Sequence, residues 1–163
     1  MNSTAPQVEN CLVCQTVVGE IIPPGGLIFS DGLWQVDHAV PPIWMLGQLV
    51  IKSVRYCEQL AELLPEEAAA LGPLIPRLSQ ALQTVTRAEK IHLASYGEGL
   101  RHVHFLVTPR TAEMPASNVR LTFWLLWRRS LYRFGWKKFA HPPTAAVEIA
   151  RQVREALGAA VGS

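Results

Sequence analysis

The stretch Lys90-Ile91-His92-Leu93-Ala94-Ser95-Tyr96-Gly97-Glu98-Gly99-Leu100-Arg101-His102-Val103-His104-Phe105-Leu106-Val107 decides the fold. Gly97-Glu98-Gly99 reads as a turn between two strand-like runs, residues 90–96 and 100–107. Along the second run the side chains alternate, so His102, His104 and Leu106 point one way and Val103, Phe105 and Val107 the other. The apolar face needs a covering layer, while the opposite face offers two imidazoles. An imidazole nitrogen attacks phosphorus well when its other nitrogen is hydrogen-bonded, which fixes the tautomer and frees the attacking lone pair. The plain alternative is two polar residues on the solvent face of an edge strand.

Upstream, Leu27-Ile28-Phe29 and Leu33-Trp34-Gln35-Val36 flank Asp31-Gly32, a dipeptide that predicts a type I′ hairpin. Gly47-Gln48-Leu49-Val50-Ile51-Lys52 predicts a third, buried strand. Asn10 would cap a short helix from Cys11 to about Val18. Pro65-Glu66-Glu67 starts a long helix over about 65–87, with proline and acids where a first turn favours them. Leu71, Leu74, Ile75, Leu78, Leu82 and Val85 give it one apolar face; Pro73 and Pro76 predict a kink or break. Val147, Ile149, Ala150, Val153 and Leu157 predict a last helix over 144–157, closed by Gly158. Strands, a long helix, strands and helices again make an α+β domain with an antiparallel sheet.

The 163 residues suit one domain, with residues 1–9 expected to be a flexible N-terminus. Apolar residues at 49% and charged residues at 17% exclude a disordered or collagen-like chain. No apolar run approaches the roughly 20 residues of a membrane span. Three cysteines, two of them as Cys11-Leu12-Val13-Cys14, point to metal or redox chemistry in a reducing, cytoplasmic compartment rather than a disulfide framework. Between Met114 and Val147 the chain carries six basic residues and no acid, so a net charge of +2 hides −4 on the remainder.

Within 119–139, Phe123, Trp124, Trp127, Leu131 and Phe134 fall on one helical arc, with Arg129 and Arg133 opposite. Such a helix either packs its aromatic arc on the sheet or docks on a protein or an anionic membrane through Trp124, Trp127, Arg128, Arg129 and Arg133. A specific nucleic-acid site is not expected. His38 and His92 read as packing or surface histidines, and His141 as a loop residue.

Taken in order, Gly47-Gln48-Leu49-Val50-Ile51-Lys52-Ser53-Val54-Arg55-Tyr56, Leu60-Ala61-Glu62-Leu63-Leu64-Pro65-Glu66-Glu67-Ala68, Gly97-Glu98 and His102-Val103-His104-Phe105-Leu106-Val107-Thr108-Pro109-Arg110 resemble the histidine triad family, as does the opening Cys-x-x-Cys with Gly19-Glu20-Ile21. The likeness spans roughly residues 10–110, so a triad-like domain over 10–112 is expected, with 113–163 as a basic, aromatic C-terminal part of the same domain. Family members hydrolyse or transfer nucleotides, acting on dinucleoside polyphosphates or nucleoside phosphoramidates, and are commonly homodimers. The resemblance implies that His104 is the nucleophile on the α-phosphate and His102 its support. Gly97, Glu98 and Gly99 stand where the family holds phosphate, and Lys52, Arg55 and Arg101 are candidates to neutralise it.

The third triad position is Leu106, and two further family histidines are Gln48 and Tyr56 here. These departures make an inactive adaptor of the same fold the alternative to a hydrolase. No cofactor is required for the reaction. Some members hold a structural zinc with the Cys-x-x-Cys, a histidine at the place of Tyr56 and one near the triad, which here leaves Cys11, Cys14 and His102. Cys57 would complete the set only if the backbone turned it to the same side. Reduced thiols packed in a helix are the alternative.

Overall fold

The computed structural model describes residues 11–43, 45–112, 114–115, 118–136 and 141–159. Asn10 and the terminal stretches 1–9 and 160–163 lie outside them. Five antiparallel strands form one sheet: β1 (Leu27–Ser30), β2 (Trp34–His38), β3 (Leu49–Ser53), β4 (Lys90–Ala94) and β5 (His104–Arg110), in the order β1-β2-β3-β5-β4. Helix α1 (Leu12–Val17) precedes them, α2 (Pro65–Thr86) joins β3 to β4, and α3 (Asn118–Arg133) and α4 (Pro143–Ala159) follow β5.

Register explains which residues meet. Ile51 faces Phe105 and Leu49 faces Val107, while Val36 faces Ile51. This stripe, with Trp34, is buried against Leu74, Leu78 and Leu82 of α2 and Ala150, Val153 and Leu157 of α4 in one core. The other face carries Lys52 opposite His104 and Val50 opposite Leu106. Period-2 patterning therefore separates a packed face from a chemical one.

Several local expectations change. The strand expected over 100–107 begins at His104 and continues to Arg110, because the backbone of Val103 bonds to Cys57 and Ser53 instead. The first hairpin turns at Gly32-Leu33, with Gly32 alone at positive φ, the type II′ pattern rather than type I′. The Asp31 carboxylate accepts from the N–H groups of Leu33 and Trp34 and holds that turn. Helix α2 runs unbroken through Pro73 and Pro76, since both lie on its exposed side, where water solvates the freed carbonyls. It ends at Arg87 in the left-handed region. Cys11 is the N-cap of α1, its Sγ accepting from the N–H of Cys14. Helix α4 passes Gly158 to end at Ala159, and its buried face uses Ala146 where Val147 is exposed.

Helix α3 differs most. None of its described residues is fully buried. The aromatic arc does not face inward as a unit: Phe123 is 69% exposed, Trp127 57% and, just past the helix, Phe134 82%. Leu121, Trp124, Leu125, Arg128, Leu131 and Tyr132 form the half-buried inner side instead. Apolar residues lie on both sides of this helix, so periodicity alone does not select the inner one. Among the described residues no helix is long and apolar enough to cross a membrane.

Candidate functional site

His104 opens β5 and is 9% exposed. Its Nδ1 lies 2.7 Å from the carbonyl oxygen of His102. A carbonyl only accepts, so Nδ1 carries the hydrogen and Nε2 keeps its lone pair. No described group hydrogen-bonds to Nε2. The ring borders a cavity of about 150 Å³ whose wall includes Leu12, Thr16, Asp37, Val50 and Leu106. Helix α1 thus forms one wall and the chemical face of the sheet the other.

His102 supports His104 through its backbone carbonyl, and its own ring is engaged elsewhere. Its Nε2 donates to the carbonyl of Ser53 at 2.9 Å, so Nδ1 is the lone-pair nitrogen, 3.3 Å from Cys14 Sγ. Burial pushes the imidazole below its ordinary pKa, against the opposing bond to Ser53, and keeps it neutral. One ligand atom each from Cys11, Cys14 and His102 lies within 4.8 Å of the others, and all three residues are buried. Tetrahedral zinc with bonds of about 2.0–2.3 Å sets ligand atoms roughly 3.3–3.8 Å apart, so these two thiols and this imidazole lie near that spacing and would fill three of its four positions. Tyr56 stacks edge-on against His102 and donates its hydroxyl to Glu58 at 2.6 Å. That bond, with burial second, pushes its pKa up to about 12 and commits the hydroxyl to Glu58. Cys57 lies 3.7 Å from Ser53 Oγ and outside the cluster.

The expected phosphate cations are placed elsewhere. Lys52 is 1% exposed and ion-paired with Asp37, and its Nζ also donates to Thr16 Oγ1 at 2.7 Å. Burial outweighs the partner's charge for both groups, raising the Asp37 pKa and lowering that of Lys52. Arg55 grips both carboxylate oxygens of Glu67 at 2.8 and 2.7 Å. Arg101 is exposed and pairs with Glu58 at 3.3 Å. No described lysine or arginine lines the His104 cavity. Glu98 and Gly99 are exposed in the loop before β5, and Gly97 there adopts φ +71°.

Sequence reasoning missed Asp37 and Thr16 as cavity walls; the alternation of β2 carried the first, but its register to β3 did not follow from sequence. His38 is buried and structural: its Nδ1 donates to the Ala39 carbonyl and its Nε2 accepts from the Gly47 N–H at 3.0 Å, tying together the ends of the loop that enters β3. On α3, Trp124 and Arg128 turn inward, the guanidinium 4.4 Å above the indole, while Trp127, Arg129 and Arg133 remain exposed.

No protein-family profile matches the chain, and no curated protein does. Solved structures do. A hypothetical histidine triad nucleotide-binding protein from Sulfolobus tokodaii aligns over 91% of this chain and 93% of its own, with TM-score 0.66 and 13% identity. A Hit-like protein involved in cell-cycle regulation from Bartonella henselae covers 90% and 96%, with TM-score 0.66 and 14% identity. A zinc-bound histidine triad family protein from Mycobacterium smegmatis covers 94% and 96%, with TM-score 0.66 and 18% identity. Likeness at such low identity is a likeness of fold.

Proposed function

Because the chain folds as histidine triad proteins do, we propose that it is a nucleotide hydrolase or nucleotidyl transferase working through His104. The observation that carries this reading is the 2.7 Å bond from His104 Nδ1 to the His102 carbonyl, which leaves Nε2 as a nucleophile beside a cavity. Nε2 attacks the α-phosphorus of a nucleoside phosphoramidate or dinucleoside polyphosphate. The bond from phosphorus to the leaving atom breaks, and that atom keeps the pair and takes a proton from water. Water then attacks phosphorus, the P–N bond to His104 breaks, and the nucleoside monophosphate departs. The description of the Sulfolobus neighbour as nucleotide-binding supports the substrate class.

Leu106 supplies no donor to the phosphoryl oxygens, and a missing transition-state hydrogen bond costs about 2–4 kcal/mol, a hundredfold or more in rate. A slow enzyme is the expectation. Cys11, Cys14 and His102 would hold a structural zinc, fixing α1 to the loop before β5 and so the carbonyl that orients His104. The zinc-bound Mycobacterium neighbour supports this assignment. The test is release of AMP from adenosine 5′-phosphoramidate, with His104→Ala reducing it to background. Turnover that survives the substitution, or none in the native protein, overturns the reading.

The outer side of α3 favours a second reading, docking on an anionic surface. Val119, Phe123, Leu126 and Trp127 form an exposed apolar stripe, with Arg120 along one border and Arg129 and Arg133 along the other. That is the pattern of an interfacial helix. Cosedimentation with phosphatidylserine vesicles, lost in Arg129→Glu/Arg133→Glu, is the expected result; no binding overturns it.

A further inference from the structure

A separate cavity lies at the end of the sheet remote from His104. Strand β5 runs from His104 to Arg110, and the cavity is walled by the residues just past it, Thr111 and Ala112. At about 3.3 Å per residue that is roughly 20 Å from the imidazole. Its volume is about 490 Å³, within the roughly 300–1,000 Å³ of ordinary ligand sites. It shares no described lining residue with the His104 cavity. Besides the residues after β5, the loop before β3, the end of α2, the inner side of α3 and helix α4 converge on it.

Much of its wall is apolar: Leu46, Val85, Met114 and Ile149 line it, together with Trp124. Two arginines supply charge. The guanidinium of Arg128 is stacked 4.4 Å above the Trp124 indole. Arg87 is the more telling of the two. Among the described residues it is the sole non-glycine at positive φ, +53°, at the left-handed end of α2 where glycine costs least. It is exposed at the rim and makes no hydrogen bond or ion pair. An unpartnered cation on a strained backbone position, beside an apolar cavity, points to a ligand. The described lining residues include no Asp or Glu. Glu113 lies outside the described residues; in the sequence it is the sole acid between Arg110 and Glu148, one carboxylate against two arginines. Helix α3 also lacks a close-packed partner, since none of its described residues is fully buried, and Trp124 and Arg128 on its half-buried side border this space.

We propose that this cavity, between the end of α2 and helices α3 and α4, binds a small organic monocarboxylate with an apolar body. The carboxylate meets the guanidinium of Arg87, whose fork of N–H donors matches its two oxygens, and the body lies against Leu46, Val85 and Ile149 beneath Trp124. A nucleotide suits the space less, because its hydroxyls and further charges would lie against apolar walls with nothing to receive them. The site is independent of the chemistry at His104 and does not rest on it.

The probes are naphthalene-2-carboxylate, with a flat body, and decanoate, with a chain. Each is titrated into the full-length protein and followed by calorimetry and by the indole N–H resonance of Trp124, identified through its loss in Trp124→Phe. At least one is expected to bind with a Kd of about 1 mM or tighter and to shift that resonance. Naphthalene-2-carboxamide, which lacks the charge, and inorganic phosphate, which lacks the body, are expected to bind about tenfold more weakly or worse. Arg87→Gly suits the left-handed backbone, so it should weaken the carboxylate about fivefold or more without lowering the melting temperature, a combination that a merely structural arginine does not give. Arg87→Gln should weaken it equally, and His104→Ala should leave it unchanged. Several results overturn the proposal: no binding of either probe, binding that leaves the Trp124 resonance unmoved, or binding that both Arg87 variants retain. Equal affinity for the carboxamide or for phosphate overturns the ligand class. Loss of binding in His104→Ala places the probe in the other cavity and overturns the site. Binding that appears only in Glu113→Gln assigns the arginines to the chain's own carboxylate and overturns it as well.

Discussion

The buried pair of Lys52 and Asp37 offers the sharpest test of the site's construction. Both are nearly inaccessible, on adjacent strands, and the lysine also reaches Thr16 on α1. Lys52→Met keeps the length of the side chain and removes the charge, so little cavity is created. Asp37 then has no cation beside it, and burial already raises its pKa with the lysine present. The orphaned carboxyl escapes desolvation by taking a proton. At pH 7 that costs at most about 4 kcal/mol, which is 1.36 kcal/mol for each unit between pH 7 and an unfolded pKa near 3.9. Asp37→Leu orphans the lysine, and the same arithmetic from about 10.4 gives a ceiling near 4.6 kcal/mol. Both ceilings agree with the roughly 3–5 kcal/mol found when one member of a buried pair is removed.

These ceilings move with pH in opposite directions. As pH falls toward 4, the unfolded Asp37 is itself protonated, so the penalty of Lys52→Met shrinks. As pH rises toward 10, the unfolded Lys52 loses its proton, so the penalty of Asp37→Leu shrinks. The double variant replaces both charges by apolar atoms and is expected to cost about 1 kcal/mol or less. Urea unfolding followed by circular dichroism at pH 4.5, 7 and 9.5 measures all three. A Lys52→Met penalty below about 1 kcal/mol at pH 7, or one that does not respond to pH, refutes the reasoning.

Three further outcomes concern other parts of the fold. His38 is held neutral with a lowered pKa. Stability should therefore be full above an unfolded pKa near 6.5 and fall below it, by up to about 1.4 kcal/mol per pH unit until the folded pKa is passed; denaturant melts of His38→Gln, which should lose that slope, check it. At Gly25, φ is +79° and an added Cβ would stand 2.5 Å from the Ala150 Cβ, so Gly25→Ala should separate α4 from the loop before β1 and lower stability by about 1–3 kcal/mol in the same melts. Protein purified with zinc should hold about one equivalent by elemental analysis, and Cys14→Ser should lose it together with several degrees of melting temperature; a native protein with no zinc and thiols that react at once would count against the cluster.

Much of the fold was legible because burial imposes a period. The face of α2 and the alternation of Val103, Phe105 and Val107 follow from which side of an element must be apolar. What was illegible lay in registers and in pairs distant in sequence. Lys52 looked like a phosphate ligand because its partner, Asp37, is one strand and 15 residues away, on a diagonal that only the pairing of Gln35 with Lys52 defines. The two histidines read as one unit, yet the first gives its ring to a cysteine 88 residues earlier and only its carbonyl to the second. Helix α3 was misread because both its sides are apolar, so the pattern carries no sign of which side faces inward.

Among the described residues no lysine or arginine lines the His104 cavity, and this also constrains the chemistry. Opposite charges 4 Å apart attract by about 4 kcal/mol at an effective dielectric of 20, so every unpaired phosphate charge in a cavity without cations forfeits an interaction of that size. A nucleoside phosphoramidate brings about one charge at the α-phosphate, which backbone N–H groups and the imidazole can serve, whereas each further phosphate adds a charge with nothing assigned to meet it. Asp37 would compound the repulsion were it not neutralised by Lys52. The buried pair thus has a role in function as well as in stability: by absorbing the carboxylate, Lys52 keeps the wall beside His104 electrically quiet, and by holding Thr16 it keeps α1 in place as that wall. Lys52→Met, in which Asp37 takes a proton and stays uncharged, should therefore act through the lost bond to Thr16: α1 loosens as the cavity wall, and KM rises more than kcat falls even where the fold survives.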